Sequence, residues 1–386
     1  MVVSYDTEVQ ISAVRVAIAH DYLTQRGGAE RVVLAISRAF PDAPIYTLLF
    51  DPPGTYPEFT QRDIRVSPVN KFRSLRKHHR AALPVLPFAA RSIHVDADVV
   101  VSSSSGWAHG FSASGAKLVY CYSPARWLYM PDVYLGSETQ LVKRAALAAM
   151  SRYLRSWDRK SALSCRRYLA ISSVVKQRIA DAYDIDATVL PAPVGMSGNE
   201  TAQAVPELFN SARDGDRDSQ SFYLCISRLL PYKNVEQVVR AFATLDRKLV
   251  LVGRGPEADR IQRMKTDNVV MLSDLTDAQM VWLYQHCRAV IAASYEDYGL
   301  TPIEAGVWGR PSVVLRWGGF LDTVVEDVTG VFFDEPDPVS IIRAIERLEQ
   351  MPVDEEKIRS SMQRFTEAQF IDALRAEVNT ILEGIR

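Results

Sequence analysis

The sequence predicts two successive doubly wound α/β domains built on parallel sheets, and three observations carry that prediction. Short apolar runs of β type recur along the 386 residues. Stretches with apolar residues at helical spacing lie between them. Midway, from Gly198 to Ser221, the composition turns to Asn, Asp, Arg, Ser and Gly, ending in "NSARDGDRDSQS", as an exposed connection would. Alternation of strand and helix implies parallel sheets covered on both faces.

Taken in order, "AVRVAIAH" (Ala13 to His20) reads as the first strand, followed by a Gly-containing loop and a helix over "AERVVLAISRAF". The strands "ADVVVSSS" (Ala97 to Ser104), "AKLVYCYS" (Ala116 to Ser123), "RRYLAIS" and "ATVLPAPV" complete the first round. "FYLCISR" (Phe222 to Arg228) opens the second, and "RKLVLVGRG", "NVVMLSD", "RAVIAAS", "RPSVVLR" and "GVFFD" continue it. The division expected from this reading is 12–197 for the first domain, 198–220 for a linker and 221–364 for the second domain.

Composition narrows the class. At 47% hydrophobic and 24% charged residues, with 19 Gly and 20 Pro, the chain is an ordinary globular one rather than collagen-like, coiled-coil or disordered. No run of 18 apolar residues exists to cross a bilayer, and the polar stretch Met1 to Gln10 lacks the features of a secretory signal, so a cytoplasmic protein is expected. Four cysteines without C-x-x-C spacing read as buried apolar residues. The net charge of -1 conceals an asymmetry: residues 1–193 carry 24 Lys+Arg against 16 Asp+Glu, and residues 194–386 carry 21 against 30. Overall neutrality argues against nucleic acid as a partner, whereas the basic half suits an anionic surface.

In open parallel sheets, ligands sit beyond the carboxyl ends of strands, where helix N-termini offer amides. Three motifs fall there. In "HDYLTQRGGAERV", Gly27 and Gly28 either let amides approach a diphosphate or serve a tight turn needing positive φ, and both readings stand on the sequence alone. In "ISRLLPYKN", Arg228 and Lys233 form either a two-cation clamp for a pyrophosphate or a pair of surface cations. In "SYEDYGLTPIEAGVWGRP", Pro302 marks a helix start, Gly299, Leu300 and Thr301 would present amides there, and Glu296 and Glu304 flank it. That set suits a nucleoside diphosphate sugar: amides for phosphate, Glu304 for ribose hydroxyls and Glu296 for sugar hydroxyls.

"GGAE", "SRLLPYKN", the E-x7-E element and "GGFLDTVVEDVTGVFF" occur in the order found in the retaining nucleotide-sugar glycosyltransferases of family 4, and from about Val14 onward the chain resembles them. "HDYLTQRGGAERVV" with "LVYCYSPARWLYMPDVY" resembles the branch containing O-antigen and exopolysaccharide mannosyltransferases. The resemblance implies the GT-B fold, two Rossmann-like domains facing across a cleft, with acceptor bound by the first and donor by the second. It implies that Arg228 and Lys233 hold the donor pyrophosphate, Glu304 the ribose and Glu296 the transferred sugar, while Gly27 and Gly28 close over the diphosphate. Residues 365–386 would form the helix that family members send back to the first domain. Where many members carry a sugar-contacting His, this chain has Tyr122, and in the loop after "GG" the nearest acid is Asp322 rather than Glu. His109, in a Gly-flanked loop, and Arg126 are further candidates for acceptor or sugar contact.

Two patterns mimic other chemistries. "LVLVGRGPEA" gives G-x-G-x-x-A through Gly253, Gly255 and Ala258, with Asp274 about twenty residues on, as a dinucleotide site would. Pro256 interrupts it, and Gly253 is carried instead with the donor-binding candidates. "DAD" (Asp96 to Asp98) and "DID" (Asp184 to Asp186) imitate a metal-binding triplet, yet no metal or other cofactor is expected.

The expected function is thus transfer of a sugar, best assigned as mannose from GDP-mannose, with retention and by same-face attack, to a saccharide or lipid-linked acceptor of the cell envelope. A UDP-sugar transferase, a nicotinamide-dependent oxidoreductase and a non-catalytic sugar-nucleotide binder are the alternatives. Basic segments interleaved with Phe72, Leu75, Leu83, Leu86 and Phe88, and then with Tyr153, Leu154 and Trp157, suggest contact with an anionic membrane surface, hence a peripheral location on the inner face of the membrane.

Overall fold

The structure, a computed structural model, describes residues 14–77, 86–130, 141–196, 200–208 and 221–385, excluding the side chains of 141–150 and 207. The polar stretch Met1 to Gln10, Leu83 and most of the expected linker 198–220 lie outside the described residues. The chain divides into two compact units: residues 1–121, 141–168 and 374–386, and residues 122–140 with 169–373.

Strands β1 (Val16–Leu23), β2 (Ile45–Phe50), β3 (Ile64–Val66), β5 (Val99–Ser104), β7 (Ala116–Cys121), β8 (Arg167–Ala170) and β9 (Thr188–Val189) form a seven-stranded sheet in the order β3-β2-β1-β5-β7-β8-β9. Two short strands, β4 (His94–Val95) and β6 (Ser112–Ala113), pair beside it. Pairing is parallel, with Ile18 opposite both Ile45 and Val101, so β1 is central and buried on both faces. The near-continuous apolar runs read from the sequence are what such burial requires.

The second sheet comprises β10 (Phe222–Ile226), β11 (Lys248–Val252), β12 (Val269–Leu272), β13 (Cys287–Ala292), β14 (Ser312–Leu315) and β15 (Gly330–Phe333), in the order β12-β11-β10-β13-β14-β15. Successive residues serve opposite layers. Tyr223, Cys225, Leu249 and Leu251 join one apolar core, and Phe222, Leu224, Val250 and Val252 join the other. This period of two, apolar at every position, is why strands without polar alternation fold as strands here.

The helices used below are α1 (Gly28–Ala39), α2 (Leu141–Leu163), α3 (Ser173–Tyr183), α4 (Val235–Phe242), α5 (Asp277–His286), α6 (Leu300–Val307) and α7 (Glu367–Glu383). Thr276 caps α5 in a reciprocal capping box with Gln279. Residues 169–196 group with the second unit rather than with 12–168 because α3 is bonded into its loops: Ser173 donates from N and Oγ to Asp322, at 2.7 and 2.9 Å. Helix α7 begins in the second unit, and its later part belongs to the first, where the Arg375 guanidinium donates to Ala39 O and Arg167 grips Glu377.

Candidate active site

The strand order of the second sheet reverses between β10 and β13, so the loops leaving those strands diverge at their carboxyl ends. Both loops carry motif residues. The turn after β10 delivers Arg228 and, through a short 3-10 helix begun by Pro231, Lys233. Lys233 is only 8% exposed and its Nζ pairs with Glu296, on the loop after β13. Ser294 Oγ donates to the same Glu296 oxygen at 2.9 Å. Burial pushes the Glu296 carboxyl up, but the Lys233 ammonium, the Ser294 hydroxyl and the charge of Arg126 outweigh it, and the group stays below the ordinary glutamate value.

Sequence reasoning placed Arg228 and Lys233 side by side. The structure joins them through Tyr232, whose ring lies 5.0 Å from Lys233 Nζ and whose hydroxyl accepts from Arg228 Nη2 at 3.3 Å. Arg228 is exposed, whereas Lys233 is committed to Glu296.

Helix α6 starts at Gly299, which has φ 81° and no space for a Cβ, since one would sit 2.6 Å from Phe320 Cδ1. Leu300 and Thr301 begin the helix, and no side chain caps it. Glu304, one turn in, accepts a hydrogen bond from Tyr284 Oη at 2.5 Å. The loop "GGF" presses on this element: Gly319 N donates to Glu296 O at 2.9 Å, and a Cβ on Gly319 would meet Tyr298 backbone at 2.3 Å.

Asp297 lies beside Glu296 and was not signalled by any motif. It is buried between two guanidiniums, those of Arg126 and, at 2.7 Å, Arg178 of α3, while its carbonyl accepts from Ser172 Oγ. Arg126, read as a ligand-contacting candidate, is therefore held by a carboxylate. Tyr122 is 9% exposed, just past β7. Asp322 is engaged with the first turn of α3 through Ser173.

In the first unit the order reverses between β1 and β5. Gly27 caps α1 in extended backbone (φ -121°), and neither it nor Gly28 has positive φ, so the tight-turn reading of the pair does not hold. A Cβ on Gly27 would lie 2.5 Å from Glu30 Oε2. Glu30 is buried in the first turn of α1, and burial raises its pKa despite the offsetting charge of His20 and the amides of Glu30 and Gly27. Asp21, at the end of β1, ties down the loop after β5 by accepting from the amides of Ser105, Trp107 and Ala108 at 2.6, 3.1 and 2.6 Å.

His109 does not face open solvent. It is buried, with Nε2 3.1 Å from Asp158 and Nδ1 3.2 Å from Ser104 Oγ, beside the Trp157 ring. Lys117 Nζ donates to its carbonyl at 2.7 Å. The residue is thus held in the interior of the first unit by Asp158, Ser104 and Trp157.

The dinucleotide-like pattern is likewise used by the fold. A Cβ on Gly253 would lie 1.9 Å from Ser227 O, and one on Gly255 would lie 2.3 Å from Leu229 O. Both glycines thus let β11 pass against the turn that carries Arg228. Asp274 pairs with Arg254. The two acidic triplets are also occupied, Asp96 and Asp98 by Arg15 and Asp186 by Lys176, while Asp184 ends α3 in the left-handed region.

Two sequence families account for this arrangement. Residues 26–196 match the family described as Glycosyltransferase Family 4, and residues 208–368 match Glycosyl transferases group 1. The chain is a family 4 glycosyltransferase. Among relatives, the glycosyltransferase is 27% identical over 45% of its length to a GDP-mannose-dependent alpha-(1-6)-phosphatidylinositol monomannoside mannosyltransferase of Mycolicibacterium smegmatis. It is 22% identical over 93% of its length, and 96% of the relative's, to an alpha-1,3/1,6-mannosyltransferase of Dictyostelium discoideum. The chain spans about half the length of the first curated relatives it matches, 54% of an uncharacterized glycosyltransferase of Bacillus subtilis and 50% of the Mycolicibacterium protein.

In fold, the glycosyltransferase resembles Anabaena HepE in complex with UDP, with a TM-score of 0.68 at 17% identity covering 95% of this chain and 100% of that one. A lipopolysaccharide outer core galactosyltransferase gives a TM-score of 0.65 at 15% identity, covering 95% and 99%. These likenesses give the GT-B fold.

Around the β10 and β13 loops, Lys233, Arg126 and Arg178 face two carboxylates, Glu296 and Asp297, and Arg228 adds a further cation on the turn that carries Tyr232. Preorganised cations beside the open start of a helix are a means of stabilising a departing anion. Arg178, Asp297 and Tyr284 were missed from sequence because each acts through a partner separated in the chain, whereas Tyr232 and Ser294 bond to near neighbours in side-chain contacts that impose no pattern on the sequence.

Proposed function

We propose that this glycosyltransferase moves mannose from GDP-mannose, with retention and without a metal ion, to a saccharide or lipid-linked acceptor in cell-envelope polysaccharide or glycolipid synthesis. The observation that carries the reading is the Lys233 and Glu296 pair at the switch point of the second sheet, with Arg228 exposed beside it. When the glycosidic bond to the donor breaks, negative charge grows on the diphosphate. Arg228, Lys233 and the amides of Leu300 and Thr301 stabilise that charge, and the departing phosphate takes the acceptor proton in a same-face attack. Glu296 receives sugar hydroxyls, Glu304 receives the ribose, Gly27 and Gly28 close over the diphosphate, and Tyr122 stands where other members use histidine. Mannose and GDP are favoured by the names of the relatives.

A UDP-sugar donor is the second reading, favoured by the UDP bound to the Anabaena neighbour. A thermal-shift panel with GDP, UDP, ADP, dTDP and NAD separates the readings, since a ligand at 100 times its Kd stabilises by about 2.7 kcal/mol. A shift with GDP that disappears in Lys233→Ala and Glu304→Ala is expected. A shift with UDP alone redirects the donor, and a shift with NAD alone overturns the transferase chemistry.

Membrane contact is proposed for the first unit, where Phe72 and Phe88 are 61% and 63% exposed near Lys71, Arg73, Lys77 and Arg91. Pelleting with vesicles containing anionic lipid, weakened at high salt, is the expected result. Equal pelleting with neutral vesicles counts against it. Among the described residues no helix is long and apolar enough to cross a membrane.

A further inference from the structure

Tyr284 lies on α5, 1% exposed, within the apolar layer made by Phe222, Leu224, Val250, Cys287 and Val290. A tyrosine so placed needs an acceptor for its hydroxyl. That acceptor is Glu304 on α6, whose Oε2 is 2.5 Å away. A hydroxyl donating to a carboxylate at this length makes a strong, charge-assisted bond. Glu304 is half-buried and would otherwise choose among rotamers, each ordering step costing entropy when a ligand arrives. The bond to Tyr284 removes that choice by fixing one oxygen and, with it, the plane of the carboxylate.

We propose that Tyr284 is a positioning residue for donor binding: its buried hydroxyl holds Glu304 in the rotamer that receives ribose hydroxyls, so that discrimination between ribonucleotides and deoxyribonucleotides depends on a side chain that never touches the nucleotide. This rests on the assignment of Glu304 to the ribose under the proposed function. A tyrosine that only filled the core would affect every nucleotide alike, whereas a positioning residue affects the ribose contact alone.

The test is calorimetric titration of the full chain with GDP, 2′-deoxy-GDP and 3′-deoxy-GDP, and with the matching uridine series. The unmodified protein is expected to prefer a ribonucleoside diphosphate by about tenfold, the worth of one hydrogen bond to a charged group. Tyr284→Phe should weaken the ribonucleotide by about that factor and leave the deoxy forms within about twofold. Tyr284→Met, which keeps apolar volume without the hydroxyl, repeats the measurement should the phenylalanine variant misfold. In a Glu304→Ala background the tyrosine substitution should change nothing further. An unchanged preference in Tyr284→Phe, or equal weakening of ribo and deoxy forms, overturns the proposal. No preference in the unmodified protein removes the ribose from Glu304 and the proposal with it, and no binding of any nucleoside diphosphate overturns the proposed function itself.

Discussion

Lys233 and Glu296 are each other's charge compensation, so removing Lys233 leaves a half-buried carboxylate, and removing Glu296 a buried ammonium, without its partner. Lys233→Met is expected to destabilise the protein by about 2 kcal/mol, less than for a fully buried pair because Glu296 is 30% exposed to water. Adding Glu296→Gln to Lys233→Met should recover part of that loss, which chemical denaturation of the three variants would measure. The pH dependence follows from the lowered pKa of Glu296. Its stabilisation is present above the ordinary glutamate value and is lost as pH falls through the lower folded value. Glu296→Gln should accordingly show a shallower acid unfolding curve, and an identical curve would refute the assignment. Burial holds the thiols of Cys225 and Cys287 up at about 12, so neither should react with iodoacetamide at neutral pH until the protein unfolds. Mass spectrometry before and after denaturant reads this directly.

At the scale of elements, all six strands of the second sheet and most of the loops that carry the site were legible in the sequence, whereas β2 and β3 of the first sheet were not read as strands. Buried parallel strands leave apolar runs, and "FYLCISR" and "RAVIAAS" declared β10 and β13 without ambiguity. The position of Gly299 before α6 was legible for the same local reason. Side-chain partners were not, because a pairing such as Arg126 with Asp297 spans 171 residues and imposes no period on the chain. The burial of His109 was hidden for a related reason: it depends on Asp158 and Trp157, which come from a helix far along the sequence. Gly299→Ala tests the close packing of this element. Positive φ and a contact at 2.6 Å with Phe320 both oppose a methyl group, and a loss of about 2–3 kcal/mol with weakened nucleoside diphosphate binding is expected in denaturation and titration. Asp297→Asn should free Arg126 and Arg178 from a shared carboxylate, raising the salt sensitivity of nucleotide binding while leaving the fold intact.

For the whole molecule, the two units are stitched from discontinuous stretches, and α7 shows what that costs when interrupted. Phe370, Leu374, Val378 and Ile381 are buried along its length. A chain ended after Thr366 loses all four, exposing the surface they cover, and removes the Arg375 and Glu377 contacts, so it should be largely insoluble or melt far below the intact protein. A solubility and melting comparison decides this.

The membership of residues 374–386 in the first unit also dictates an order of events during synthesis. Residues 169–373 are synthesised before the segment that completes the first unit exists, so residues 1–121 and 141–168 wait unfinished throughout that stretch. For roughly 10–40 s at about 5–20 residues per second, the nascent first unit exposes the apolar surface that the end of α7 will cover. That interval is when chaperones would find their handle on this protein.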